Sequence, residues 1–150
     1  MLTFQPEHFS DVIAELDTLL PGQWHELGTH RTEIKLDRDV ENYARMDAAG
    51  GVKITTARDG SRLVGWYINF LVFHPHYKTA LYAFHDVDYL LPEYRKGTNG
   101  LRLLMAMENQ MRSLGVKVIT SVSKKTYPRM PVFEFLGWEE QGTVVMKVLE

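Results

Sequence analysis

Two adjoining stretches carry groups whose types and spacing could do chemistry. The first, residues 85–91, reads HDVDYLL and sets two carboxylates, Asp86 and Asp88, two positions apart. Strand alternation predicts Asp86, Asp88 and Leu90 on one face, with His85, Val87 and Tyr89 on the other. Carboxylates that are close and partly buried raise the apparent pKa of the pair, which suits a base working near neutrality. Either could instead bond a neighbouring backbone group or a basic partner. The second stretch, residues 92–104, reads PEYRKGTNGLRLL and passes from a proline through a basic, glycine-flanked turn into an apolar helical run. A helix that starts straight after such a turn points several unpaired N–H groups one way, with the positive end of its dipole behind them. Gly97 and Gly100 permit positive φ and close approach of a ligand, Arg95 and Lys96 add positive charge, and Thr98 or Asn99 is the natural N-cap. The turn could hold an anion, or serve only to join strand and helix. It is not a nucleoside-triphosphate P-loop, because no Gly-Lys-Ser/Thr follows, nor a dinucleotide fingerprint, because no repeated βαβ unit surrounds it.

Other candidates are weaker. His74 and His76 lie near His85 and the two aspartates, and imidazole with carboxylate makes an ordinary ligand set. Pro75 between the first two histidines favours a loop over a rigid ligand pair, so no metal is expected, and His74 and His76 are read as lining an acceptor pocket. Trp24 and Tyr77 fall in predicted loops and could wall the same pocket or simply pack, while Trp66, Tyr67, Phe70, Phe73 and Tyr82 read as core.

The elements that must position these groups follow from periodicity. Apolar residues at helical spacing predict a first helix between Pro6 and Leu20, stopped by Pro21 and Gly22. A second helix, capped by Asp37 or Asp39, carries Val40, Tyr43, Ala44 and Ala48 and ends at Gly50 and Gly51. Val52–Ala57 and Leu63–Phe73 read as strands joined at Asp59 and Gly60, and Ala80–Leu91 as a further strand. From Gly100, Leu104, Met107, Met111 and Leu114 form a helical stripe closed by Gly115. VKVITSV is a strand, Pro131–Leu136 a short helix and TVVMKVL a last strand. The order predicts one α+β domain over residues 1–150, with a mixed, mostly antiparallel central sheet of about six or seven strands and helices on both faces, a three-layer arrangement.

The bulk numbers narrow the partners. The 150 residues are 45% hydrophobic and 24% charged, ordinary values for a globular domain. With 17 basic and 19 acidic side chains interspersed and a net charge of −2, no basic stripe exists to grip nucleic acid. The absence of cysteine removes disulfides, thiolate nucleophiles and cysteine-bound zinc. No apolar run approaches the ~18–20 residues of a membrane span and the N-terminus does not read as a signal peptide, so a cytoplasmic protein with no membrane partner is expected.

PEYRKGTNGLRLL resembles the signature of the GNAT N-acetyltransferases, Arg/Gln-x-x-Gly-x-Gly/Ala after a strand that commonly ends in proline. Arg95 stands at the first position and Gly100 at the last; the family's first glycine falls on Thr98, with Gly97 displaced by one. MENQMRSLGVKVITSV looks like the family's helix, glycine and following strand, and VFEFLGW resembles its recurring "fYeklGF". The order of ARDG, LVGW, HPHYKT and YLLPEYRKG is also similar to a branch often encoded in tailed-phage genomes, whose members would work in the host cytoplasm. The likeness covers nearly the whole chain.

The resemblance implies acetyl-coenzyme A as cosubstrate, its pyrophosphate held by Arg95, Lys96, Gly97, Thr98, Asn99, Gly100 and Leu101. It implies a backbone donor for the thioester oxygen near Leu90 or Leu91, which would also pair with the pantetheine arm. Asp86 matches the usual base or water-holding position and is the first choice, with Asp88 second. The usual tyrosine acid falls on Phe133, leaving Tyr127 as a substitute, although a thiol of pKa ~8.5 leaves tolerably unaided. The acceptor would be an amine on a small molecule or a protein. Transfer of a longer acyl group and a catalytically weak or inactive module acting through protein contacts stand as alternatives. Oligomeric state stays open, although domains of this family often form homodimers through their final strands.

Overall fold

The computed structural model describes residues 1–30 and 32–149. The chain opens with a strand, β1 (Leu2–Glu7), and continues through α1 (Phe9–Leu27), α2 (Val40–Ala48), β2 (Val52–Asp59), β3 (Arg62–Phe73) and β4 (Leu81–Leu90). A single 3₁₀ turn, Pro92–Tyr94, leads to α3 (Asn99–Ser113), β5 (Val118–Thr120) and α4 (Met130–Phe135). The five strands lie in the order β1-β2-β3-β4-β5; the first four are antiparallel, and β5 runs parallel to β4. The α+β architecture is as the sequence predicts, with fewer strands.

Three local readings are corrected. Residues 2–7 pair along β2 rather than feeding a helix, and Pro6 is accommodated because β1 is the sheet edge, where one N–H can be missing. Helix α1 runs through Pro21 and Gly22 to Leu27, because Gln23 and Leu27 on its last turns are buried. Among the described residues 143–149 form no strand: β5 pairs with β4 over three residues and has no second neighbour there, so no ladder is completed. Its apolar side chains are bare, Val145 at 86% and Leu149 at 81% of full exposure.

Two cores sandwich the sheet. Phe9, Val12 and Leu16 of α1 pack with Tyr43 and Met46 of α2 on one face, against Ile54, Trp66, Ile68 and Tyr89. Leu103, Leu104, Met107 and Met111 of α3, with Phe133 of α4, cover the other, against Ala57, Val64, Tyr67 and Leu90. Asp39 caps α2, its Oδ1 accepting the Asn42 amide at 2.9 Å. Gly65 of β3 faces Leu90 of β4, and a Cβ there would meet Leu90 Cδ1 at 2.7 Å.

Candidate active site

The middle of β4 departs from regular pairing. Asn69 faces His85 and Ile68 faces Val87, so Asp86 is the extra residue of a β-bulge. The bulge breaks the alternation on which the sequence reading relied, and Asp86 and Asp88 take opposite faces. Asp86 turns toward the helical pair α1/α2, where its Oδ2 accepts the Tyr43 hydroxyl at 2.6 Å. Tyr43 is itself stacked on Phe9, ring centroids 4.8 Å apart. Burial raises the Asp86 pKa; the Tyr43 hydrogen bond and the charges of His85 and Arg38 offset part of that shift. Tyr43 is pushed the same way by burial and by the Asp86 charge.

Asp88, 5% exposed, is enclosed on the α3 side of the sheet. Its Oδ1 lies 2.7 Å from His85 Nε2, and Oδ2 pairs with the Arg129 guanidinium. Tyr67, whose hydroxyl lies 2.6 Å from Ser121 Oγ, flanks the same group, and its ionisation is disfavoured first by burial and then by the Asp88 charge. His85, expected opposite Asp88, is therefore its partner.

Beyond Thr120, β5 gives way to a loop whose bridge joins Lys124 to Tyr127, and β4 loses its neighbour. In the gap between β4 and this loop is a cavity of about 20 Å³, lined by His85, Asp86, Asp88, Lys124 and Tyr127 with Leu27 and Val122. It has room for about one water. Asp86, Asp88 and Tyr127 thus border one space although their chain positions are far apart. Burial raises the Tyr127 pKa, against the pull of Arg95 and Arg129.

Main chain also faces the gap. The Leu91 amide donates to Val64 of β3 at 2.9 Å, so alternation turns the N–H and C=O of Leu90 the other way. The Leu90 carbonyl accordingly accepts Arg95 Nε at 2.7 Å. Of the two backbone positions expected to offer a donor, Leu90 has the free direction and Leu91 is committed.

Arg95 does not point outward from its turn. Its guanidinium reaches back to Glu26 of α1 at 2.5 and 2.9 Å and lies between the rings of Tyr89 and Tyr127, at 4.9 and 4.8 Å. The pairing holds Glu26 below the usual carboxylate range, chiefly through the hydrogen bond from Arg95. The Tyr89 hydroxyl also donates to Glu26, and burial with that partner pushes its pKa up to about 12. Lys96, Gly97 and Thr98 are exposed, Gly97 has φ +56°, and Cβ atoms at Gly97 and Gly100 would meet nothing within 4 Å. Asn99 bonds the Tyr94 carbonyl instead of capping, and Thr98 makes no side-chain cap. Among the described residues the amides of Gly97, Thr98, Gly100 and Leu101 find no acceptor. Four donors at the positive end of a 15-residue helix are thus left without a partner among the described residues.

The remaining candidates are dispersed. His74, His76 and Tyr77 cluster in the β3–β4 loop. Trp24 lies within α1, not a loop, its ring close enough to Gly28 that a Cβ there would meet it at 2.8 Å. Among the described residues no group of three or more His, Asp or Glu could hold a metal ion, and no helix is long and apolar enough to cross a membrane. Sequence reasoning missed Glu26, Tyr43 and Arg129. Tyr43 had been read only as part of a helix stripe, and no local motif marks the other two.

No family model matches the sequence, and no curated protein is similar to it. Solved structures do match. An aminoglycoside acetyltransferase from an uncultured soil metagenomic sample superposes with a TM-score of 0.78 at 12% identity, over 100% of this chain and 99% of that one. Another from such a sample, solved with trehalose, gives 0.73 at 13%, over 99% and 97%. A predicted acetyltransferase from Clostridium acetobutylicum, solved with acetyl-CoA, gives 0.72 at 13%, over 99% and 96%. The chain has the fold of the GNAT acetyltransferases.

Proposed function

We propose that the chain is an N-acetyltransferase that moves the acetyl group of acetyl-coenzyme A to a primary amine by direct attack. One observation carries the reading: the uncapped glycine turn into α3 stands at the end of the same strand whose bulge presents Asp86 to a cavity. The free amides from Gly97 to Leu101, with Lys96, fit a pyrophosphate. The Leu90 C=O fits an amide N–H of a pantetheine arm laid beside β4 as an added strand. Fold neighbours solved with acetyl-CoA, or with a bisubstrate analogue containing CoA, support the same cosubstrate.

Acetyl-coenzyme A supplies an activated acyl group as a thioester. The chain's part is to place and deprotonate the amine. Asp86, with its raised pKa, takes the proton of the incoming ammonium directly or through the water-sized cavity beside it. The amine nitrogen bonds to the acetyl carbon, the carbon–sulfur bond breaks, and the second proton of the nitrogen leaves with the departing thiolate. The Leu90 N–H is oriented to bond the acetyl oxygen as it gains charge. Tyr127 borders the cavity and is the available proton donor, since Phe133 is buried against Trp138. Asp88, closed between His85 and Arg129, holds the two sides of the gap together. Arg95 ties the turn to α1 and to Leu90, so it acts on cofactor binding by fixing the cradle. The likeness to a phage-encoded branch rests on motif order alone, and a cytoplasmic setting on composition.

Calorimetric titration with acetyl-coenzyme A, coenzyme A and dephospho-coenzyme A tests the reading. Micromolar binding, about −8 kcal/mol, supports it; no heat at millimolar ligand, with no thiol released in the presence of any amine, leaves the non-catalytic module. Asp86→Asn is expected to lower kcat by roughly 10²–10⁴ with acetyl-coenzyme A affinity retained, whereas Arg95→Ala chiefly weakens that affinity. Equal loss of affinity in both variants would contradict the division.

A further inference from the structure

The acceptor's chemistry can be read from the face that Asp86 shares. Phe84 and Tyr82 precede Asp86 by two and four residues on the α1/α2 side of β4, about 7 Å apart for each step of two residues. The rings of Tyr82 and Phe84 stack with centroids 6.0 Å apart. Tyr77, from the β3–β4 loop, stacks on Tyr82 at 6.1 Å and 11°. His74 leans on both tyrosines, at 5.2 and 4.9 Å.

These rings are not core. Tyr82 and Phe84 are half-buried and belong to neither hydrophobic cluster, and Tyr77 is 56% exposed. Together they make an open aromatic ledge that runs along β4 and ends at Asp86, where Tyr43 closes it. A flat apolar body can lie on such a ledge in offset stacking, and a cation at its end is drawn both to ring faces and to the carboxylate.

Charge selects among amines. Lys78 and His76 flank Tyr77 in sequence, and the Arg38 charge acts on Asp86. A polyamine or an aminoglycoside, with several positive charges spread along its length, would bring the further charges toward Lys78 and Arg38 with no second carboxylate among the ledge's described residues to meet them. A single ammonium meets Asp86 alone. Resting on the acetyl-transfer reading, we infer that the acceptor is a monoamine joined by a short alkyl spacer to an aromatic ring, with the ring on Phe84, its far edge toward Tyr82, and the nitrogen at Asp86.

The test is thiol release at saturating acetyl-coenzyme A with tryptamine and 2-phenylethylamine against spermidine and sisomicin. The arylalkylamines are expected to show at least tenfold higher kcat/KM. Phe84→Leu, and Tyr77→Ala in the exposed loop, should each raise the tryptamine KM about tenfold while the calorimetric Kd for acetyl-coenzyme A stays unchanged. Preference for spermidine or sisomicin, or an unmoved KM in both variants, overturns the inference. A separate arm needs no catalysis: saturation-transfer NMR of tryptamine with cofactor-free protein. Transfer to the indole protons that is lost in Tyr82→Leu supports the ledge even if acetyl-coenzyme A fails to bind. Absent transfer in the unaltered chain refutes the ledge whatever the cofactor does.

Discussion

Asp88→Asn removes a charge while keeping the shape of a side chain that is 5% exposed and closed between His85 and Arg129. The Arg129 side chain is 15% exposed, so its guanidinium would keep a positive charge in a poorly solvated place with no counter-ion. Removing one member of a buried pair typically costs about 3–5 kcal/mol. Asparagine still offers an oxygen to His85, so the low end of that range, about 3 kcal/mol, is expected. In a domain of this size each kcal/mol moves Tm by about 2–4 °C, giving a loss of roughly 6–12 °C. Thermal unfolding followed by circular dichroism at pH 7 reads it directly. Arg129→Met on the Asp88→Asn background should restore part of the loss, because the cost arises from the orphaned charge. A single variant melting within about 2 °C of the parent, or a double variant as unstable as the sum of the singles, would refute the assignment of Asp88 to structure.

Asp86→Asn should act in the opposite sense on stability. A folded-state pKa above the ordinary 3.8 means that the native chain holds a proton the unfolded chain has lost, so stability falls as pH rises through that window. Melting at neutral pH is expected to rise by about 0.5–2 kcal/mol equivalent in Asp86→Asn, and the gain should vanish when pH drops below the window; an unchanged gain at acid pH would exclude Asp86 as its source. For the same reason kcat/KM should rise with pH through the raised Asp86 value and keep no such limb in Asp86→Asn. Gly65→Ala should cost roughly 1–3 kcal/mol by chemical denaturation, because its Cβ would meet Leu90 Cδ1 at 2.7 Å and the Tyr89 carbonyl at 3.0 Å. Gly97→Ala, at φ +56°, is expected to weaken acetyl-coenzyme A binding while Gly100→Ala leaves the melting point close to the parent's, which calorimetry and thermal scans would separate.

What could be read ahead of the structure was what local sequence governs. The Asp59–Gly60 hairpin, the apolar stripe of α3 and the glycine turn before it are set by residues within a few positions of one another, and each lies where periodicity places it. The misreadings involve partners distant in sequence. Residues 2–7 become a strand only because β2 lies alongside, and 143–149 complete no ladder among the described residues. Helix α1 continues past Pro21, which lacks an amide for the carbonyl of Asp17, because burial of Gln23 and Leu27 outweighs that missing bond. At the site, Asp86 and Asp88 were found but their relation was inverted, since alternation holds only for a strand without an extra residue. Glu26, Tyr43 and Arg129 come from three other segments, and only the folded chain brings them to β4.

The bulge in β4 also sets how this chain tolerates changes of length. Removing one residue from an exposed hairpin such as 59–61 shortens a turn and leaves both strands facing as before. Removing one from 85–87 would erase the bulge and return β4 to strict alternation. Val87 would still face Ile68, Tyr89 would still face Trp66 in the α1/α2 core, and Leu90 would stay on the α3 side, because the extra residue lies outside the pairing. Deletion of Asp86 would therefore spare the pairing of the sheet and remove the carboxylate that borders the cavity. In a library of in-frame deletions, loss of codon 86 should be better tolerated by the fold than loss of any paired residue from 87 to 90, with its cost read in activity instead.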